Sequence, residues 1–121
     1  MSKHNATIKN ISDLKDAKEA IENLGCDPES IPIMAPKMIH RIIKLENIHL
    51  QDAIIIKQDM LSIGGEVAVP KHTFQLNGTS TSILIGGTFQ QHLILVDKLK
   101  RHYPRLKNVS RELDELIQSI L

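Results

Sequence analysis

One lysine lies among apolar residues at helical spacing. Between His49 and Ile63 the apolar positions fill one arc of a helical wheel, and Lys57 is in the middle of it. The arc consists of Leu50, Ala53, Ile54, Ile56, Met60, Leu61 and Ile63. Burial lowers the pKa of a lysine towards the range used in acid-base or Schiff-base chemistry, and an unpaired buried ammonium is costly. We therefore expect Lys57 to be mostly buried and close to a carboxylate. The alternative is a stem that follows the core and carries the charge to solvent or to a carboxylate at the helix end.

His92 is a second polar residue on an apolar helix face. The face is formed by Phe89, Leu93, Val96, Leu99 and Tyr103. The candidate catalytic residues are Lys57, as acid or base, and His92 or Glu66 as its assistant. The alternative for His92 is a core histidine whose ring bonds a backbone carbonyl. The remaining histidines lack metal-ligand spacing, so the sequence predicts no metal site, and no cofactor motif is present.

Two Gly-Gly pairs lie at ends of predicted elements. Gly86-Gly87-Thr88 leads a strand into a helix N-terminus, where free amides can bind an anion. It lacks the lysine of a phosphate loop and the third glycine of a dinucleotide fingerprint, so a tight turn is the alternative. Gly64-Gly65 follows the lysine-bearing helix, and a helix C-cap is the simple interpretation there.

Composition restricts the classes of function. The chain has 121 residues, 41% hydrophobic, which predicts a single α+β domain spanning 1–121. Aromatic residues make up 2% and the net charge is +1, so nucleic acid is not an expected partner. Cys26 is the only cysteine and the start leads into no long apolar run. We therefore expect no disulfide, no signal peptide, no membrane association and a cytoplasmic location.

The order of elements favours an α+β fold, with a small mixed or antiparallel sheet and helices packed mainly on one face. Strands are predicted at 6–11, 38–45 and 66–69, and short helical turns between Asp27 and Lys37. Asn77-Gly78 predicts a two-residue hairpin joining 73–76 to a strand at 79–85. Thr88 and Gln91 form a capping box for a helix that reaches about Tyr103, and an amphipathic helix follows.

Ile55 lies on the polar side of the lysine-bearing helix. A cover for it is expected, either from the segment between Asp27 and Met38 or from a second subunit. The sequence therefore predicts a homodimer or higher oligomer.

A run of consecutive residues carries a family resemblance. Lys57-Gln58-Asp59-Met60-Leu61-Ser62-Ile63-Gly64-Gly65-Glu66-Val67-Ala68-Val69 resembles the amino-terminal extension domain of archaeal and bacterial dihydropteroate-synthase-like proteins. There a K-Q-x-M-L-S-x-G-G-[DE]-x-A run follows a strand, and the strand-GGT-helix of 83–91 also fits. A pterin-binding barrel needs about 250 residues, and none of it is present here. The resemblance therefore implies a module associated with folate or methanopterin metabolism rather than a synthase.

These observations lead to three hypotheses. The first is a non-catalytic ligand-binding or assembly module, whose partner is a pterin-related small molecule or a pterin-handling enzyme. Its binding residues would be Lys57, Gln58, Gly64, Gly65, Glu66, Gly86, Gly87 and Thr88. The second is a small enzyme that uses Lys57 as acid or base on an anionic heterocyclic substrate. The third is a purely structural oligomerisation domain.

Overall fold

The computed structural model describes residues 3–120, and within them the fold is α+β. Met1, Ser2 and Leu121, at the ends of the predicted domain, lie outside the described residues. The helices are α1 (Leu14–Asn23), α2 (Ile31–Met34), α3 (Leu50–Ile63), α4 (Lys71–Phe74), α5 (Phe89–Leu99) and α6 (Pro104–Ser119). The strands are β1 (His40–His49), β2 (Glu66–Ala68) and β3 (Ser80–Thr88). Short 3-10 helices, Pro28–Ser30 and Ala35–Lys37, flank α2.

The three strands form one antiparallel sheet in the order β1-β3-β2. Side chains alternate between its two faces, and the inner face is apolar. Ile43 and Val67 lie opposite Ile85 from either side, and all three are buried. Asn47 has a positive φ of 57° at a bulge in β1, which lets both Leu45 and Ile48 be buried despite their odd spacing.

Three helices build the core over this face. α3 and α5 both contact the sheet and each other, and α6 packs against α5. The Ser110 hydroxyl donates to the Val96 carbonyl at 2.8 Å in the buried contact between α6 and α5. The fully buried side chains include Ile56, Met60, Phe89, Leu95, Leu99, Leu106, Leu113 and Ile117.

Most predicted helices are confirmed. The capping box is present at α5, because Gln91 N donates to Thr88 Oγ1 at 3.2 Å and Thr88 N donates to Gln91 Oε1 at 2.9 Å. α5 ends at Leu99 rather than near Tyr103, and Pro104 begins α6. Proline suits this first helical position because the amide it lacks would have no helical partner there.

The predicted hairpin at Asn77-Gly78 is wrong. Residues 71–74 form a helical turn, and Phe74 is 58% exposed instead of pairing with Thr81, whose partner is Ile48. On the edge of β3 opposite β1, the strand that pairs is β2, with residues 84–86, and not residues 73–76. The Asn-Gly pair does form part of a turn with positive φ at Gly78, but local turn chemistry does not decide which strands pair.

The predicted opening strand at 6–11 is also absent. The segment is irregular, with Ile8 93% exposed and Ile11 packed against the core. Its alternation was too short to outweigh the lack of a partner strand.

Ile55 is half-buried against the core. The helical turns at 28–37 pack mainly against α1 and α5. Of the two covers expected for Ile55, the segment 28–37 is therefore not the main one, and a subunit contact stays a prediction.

Candidate functional site

Lys57 ties α3 to the edge strand β2. Its Nζ donates to Glu66 Oε1 at 3.0 Å and to the Val67 carbonyl at 2.7 Å, with 25% of the side chain exposed. The expected pairing of Lys57 with a carboxylate is thus confirmed. Glu66 also accepts from the Val67 amide at 2.8 Å. Hydrogen bonding by Lys57 is the main cause that holds the pKa of Glu66 below its usual value. The carboxylate is therefore ionised and the ammonium has two partners, as a structural tie requires.

The two Gly-Gly pairs meet around one buried methionine. A Cβ on Gly65 would lie 2.7 Å from Met60 Cε, and a Cβ on Gly87 would lie 2.5 Å from the same atom. Met60 is fully buried, so its side chain has no solvent to move into. Gly64 has a different role, since its φ of 100° ends α3 in the left-handed conformation. We call Met60 and its glycine neighbours, Gly65 and Gly87, the methionine junction.

Three amides at the helix start that follows the expected anion site at 86–88 are engaged. Thr88 N donates to Gln91 Oε1 at 2.9 Å, and Phe89 N donates to the Ile39 carbonyl at 2.9 Å. The Gln91 amide donates to Thr88 Oγ1 at 3.2 Å. The helix N-terminus is therefore closed by its own cap at these three amides. A cleft of about 350 Å³ opens beside it, and of the predicted binding residues Thr88 alone lines this cleft.

His92 lies in the core on the β1 side of α5. Its side chain is 0% exposed, and Nε2 lies 2.9 Å from the Arg41 carbonyl. Burial lowers the pKa of His92, and the hydrogen bond with Arg41 opposes that effect, so the ring is neutral near pH 7. Nδ1 is buried without a hydrogen-bond partner of standard geometry among residues 3–120, although the backbone of Gly87 is near enough to act on the pKa. Within the same residues no hydrogen bond joins His92 to Lys57, so the described contacts show no acid-base pair.

The outer face of the sheet brings together another part of the predicted set. Residues opposite one another across antiparallel strands point to the same side, so the register defines this face. We call it the open face, and its members are His40, Ile42 and Lys44 of β1, Leu84, Gly86 and Thr88 of β3, and Glu66 and Ala68 of β2. Ile42 is 66% exposed and Leu84 44% exposed. Glu66, Gly86 and Thr88 thus border an exposed apolar patch, whereas Gln58 is exposed on α3.

Sequence reasoning missed a carboxylate clamp on α3. Asp52 is 2% exposed, and Arg105 donates to it twice, Nε to Oδ2 at 2.8 Å and Nη2 to Oδ1 at 3.0 Å. The Tyr103 hydroxyl also donates to Oδ1. Burial alone would raise the pKa of Asp52, but the hydrogen bonds from Arg105 and Tyr103 outweigh it and the pKa is lowered. A polar residue near a helix start is common, so only the burial reveals this clamp.

A second side-chain contact joins the same two parts of the chain. His102 Nε2 lies 3.0 Å from Asp59 Oδ2, with 19% of the aspartate side chain exposed. The connection between α5 and α6 is therefore held to α3 at two points, two helical turns apart.

Among residues 3–120, no helix is long and apolar enough to cross a lipid bilayer.

Comparison with known proteins gives one partial similarity. The chain is 29% identical over 105 residues to a probable bifunctional folylpolyglutamate synthase/dihydropteroate synthase of Halobacterium salinarum. The match covers 87% of this chain and 13% of that protein, so the chain spans only a small part of its relative's length. No family model matches the chain, and no solved structure matches it significantly. The similarity is therefore to one limited region of that protein.

Proposed function

We propose that this chain is a non-catalytic assembly module of folate metabolism, which packs through the open face of its sheet against a larger folate-pathway enzyme. The observation that carries this proposal is the exposed apolar patch of Ile42, Leu84 and Ala68, bordered by the predicted residues Glu66 and Gly86. Sheets with one apolar face commonly bury it against another layer. The partner supplies that layer.

The relative supports the choice of partner. In the Halobacterium protein the matching region is a small part of a long chain named for two folate-pathway activities. A region of that size lies beside larger domains in the same molecule, and interfaces between domains resemble those between subunits. The corresponding surface of this chain is therefore expected to fit a folate enzyme.

The charges give the open face a direction. Lys44 lies on the β1 side and Glu66 on the β2 side, with Leu84 between the two strands. Unlike charges at opposite borders of an apolar patch fix the orientation of a partner more than they raise affinity. The docking surface is therefore asymmetric.

The catalytic alternative has less support. Lys57 is bonded to Glu66 and Val67, and His92 is buried beside Arg41, so neither group faces an open pocket with a free partner.

The proposal is tested by isothermal titration calorimetry, which measures the affinity of this chain for a dihydropteroate synthase from the same organism. Leu84→Asp places a charge in the open face, and Leu61→Asp places one on α3 at a similar exposure of 47% instead of 44%. We expect L84D to weaken binding at least about tenfold and L61D to leave it within about twofold. Circular dichroism establishes that both variants are folded.

Three outcomes separate the hypotheses. If L84D loses binding to the enzyme and L61D retains it, the assembly module is supported. Binding that is indifferent to L84D overturns the open face as the docking surface. Absence of binding, together with self-association that L84D abolishes, gives the face to a second copy and overturns the folate-enzyme partner.

A pterin-related small molecule is the ligand to test next. The cleft of about 350 Å³ lined by Thr88, Gln90, Gln91 and Lys37 is the place where it would meet a predicted residue. A melting temperature raised by pterins, and not raised in Gln91→Leu, would support this ligand. An unchanged melting temperature at millimolar pterin would remove it.

A further inference from the structure

An apolar pocket lies between α1 and the start of β1, away from the methionine junction. Its volume is about 440 Å³, within the range of small-molecule sites. Ala17 and Ile21 form the floor and are 1% and 4% exposed. Leu24 and Met38 line it while remaining 83% and 56% exposed. Large apolar side chains left open to water around a concave floor are typical of a binding surface.

The polar side chains of the pocket are basic. Lys9 and His40 line it, and among its described lining residues there is no carboxylate. The His40 ring also lies over Gly86, where a Cβ would be 3.6 Å from His40 Cε1, so His40 belongs both to the pocket and to the border of the open face. A ligand that fits has an apolar body and an anionic end.

A smaller cleft next to the pocket contains the nearby acids. It has a volume of about 200 Å³, shares Lys9 with the pocket, and adds Asp16 and Glu19. Asp16 accepts from the Ser12 hydroxyl at 2.7 Å, which occupies one of its oxygens. The acids thus line the smaller cleft and not the pocket, although Lys9, Ile11 and Ala20 line both.

We propose that this pocket binds a small organic anion with a mainly apolar, ring-sized body. The body contacts the floor at Ala17, Ala20 and Ile21, and the anionic group faces Lys9 and His40. This site does not depend on the proposed assembly function, because it shares only His40 with the open face and otherwise uses α1, Lys9, Ile11 and Met38.

Two dyes that differ in charge test the proposal on the whole chain. Anilinonaphthalene sulfonate carries an apolar ring system and one sulfonate, and N-phenyl-1-naphthylamine has the same rings without the charge. Fluorescence titration is expected to show saturable binding of one sulfonate dye per chain. The double variant Lys9→Met/His40→Gln should weaken the sulfonate dye roughly two- to fivefold, as expected for exposed charges, and leave the neutral dye unchanged.

Filling the pocket is the second arm. Ala20→Phe should weaken both dyes at least about tenfold, since it occupies the space above the floor. Ala68→Phe makes the same change on the open face and should leave both affinities within about twofold. The reverse result, with A68F weakening binding and A20F having no effect, overturns the site.

A third measurement tests the site even if A20F does not fold. Amide chemical shifts of the unmodified chain, recorded with the sulfonate dye, should change most at Ile11, Ala20 and Met38. Changes centred on Leu84 and Ala68, or binding without saturation, contradict the proposal.

Discussion

At the scale of single residues, Met60 determines what its neighbours can be. It is fully buried between two backbone segments that approach it too closely for a side chain. Gly65 and Gly87 have ordinary backbone φ values, so their lack of a Cβ is needed for space and not for conformation. Within the run from Lys57 to Val69, Gly65 is therefore required for packing around Met60, and Lys57 ties α3 to β2.

Gly65→Ala is expected to destabilise the fold by about 1–3 kcal/mol, because the added Cβ would lie within 2.9 Å of Met60 Cγ and Sδ as well as 2.7 Å from Cε. Gly86→Ala is the matched control, since its Cβ would meet His40 at 3.6 Å, an ordinary contact. Urea unfolding measures both. Equal effects of the two changes would show that Met60 does not restrict Gly65, and adding Met60→Ala to G65A should give a non-additive result.

Asp52→Asn is expected to cost about 2 kcal/mol near neutral pH, because Arg105 loses its buried anionic partner. The pKa of Asp52 is lowered in the folded state, so its stabilisation is complete above its unfolded pKa of about 4 and is lost as the pH falls towards the folded value. The difference in unfolding free energy between wild type and D52N should therefore shrink below about pH 4. Asp97→Asn, at an exposed ion pair, is the control and should leave stability near wild type.

At the scale of elements, the start of α5 connects the sheet to the core. The strand β3 passes into α5 without a loop, and Thr88 is both the last strand residue and the helix cap. The change of direction is thus stabilised by two reciprocal hydrogen bonds between Thr88 and Gln91.

Thr88→Ala should lower the free energy of unfolding by about 1 kcal/mol, since it removes the acceptor for the Gln91 amide. Thr88→Ser retains the hydroxyl and should stay within about 0.5 kcal/mol of wild type. Thermal unfolding of the two variants makes the comparison. A serine variant as unstable as the alanine variant would assign the effect to the lost methyl group instead of the cap.

Elements with strong local signals were predictable, and pairings between distant elements were not. The arc around Lys57 predicted both a helix at 49–63 and a charged partner, because each depends on helical spacing. The capping box at Thr88 is likewise local. The hairpin prediction failed because the partner of β3 is chosen by the whole sheet, and Asn77-Gly78 carries no information on that choice.

The candidate site shows the same division. Glu66 lies close to Lys57 in sequence and could be named, whereas Asp52 and Arg105 are 53 positions apart and were missed. The convergence of Gly65 and Gly87 on Met60 needed the fold as well. The sequence shows which residue types are present, but the contacts between residues far apart in the chain depend on the fold.

At the scale of the whole molecule, an apolar patch remains uncovered on a small domain. Ile42 and Leu84 are exposed on one face of the sheet while the helices α3, α5 and α6 build the core on the other. When no enzyme partner is present, the open face of a second copy is an apolar surface that can cover the patch.

We expect the isolated chain to self-associate at micromolar concentration through the open face, which sedimentation velocity measures. Leu84→Asp should return it to a monomer, and Leu61→Asp should not. A wild-type chain that sediments as a monomer at all concentrations up to about 100 µM would contradict the predicted oligomer.

The order β1-β3-β2 also has a consequence for biosynthesis. In the described chain both outer strands pair with β3 and not with each other, and β3 is the last of the three in sequence. A ribosome makes the chain from its amino end, so β1 and β2 leave it before any strand exists with which they pair. The sheet cannot assemble stepwise, and until residue 88 emerges the apolar side chains of Ile43, Leu45 and Val67 have no sheet to enter. Nascent chains that have not yet reached residue 88 therefore expose these apolar side chains, and they are the form of the molecule that depends most on a chaperone.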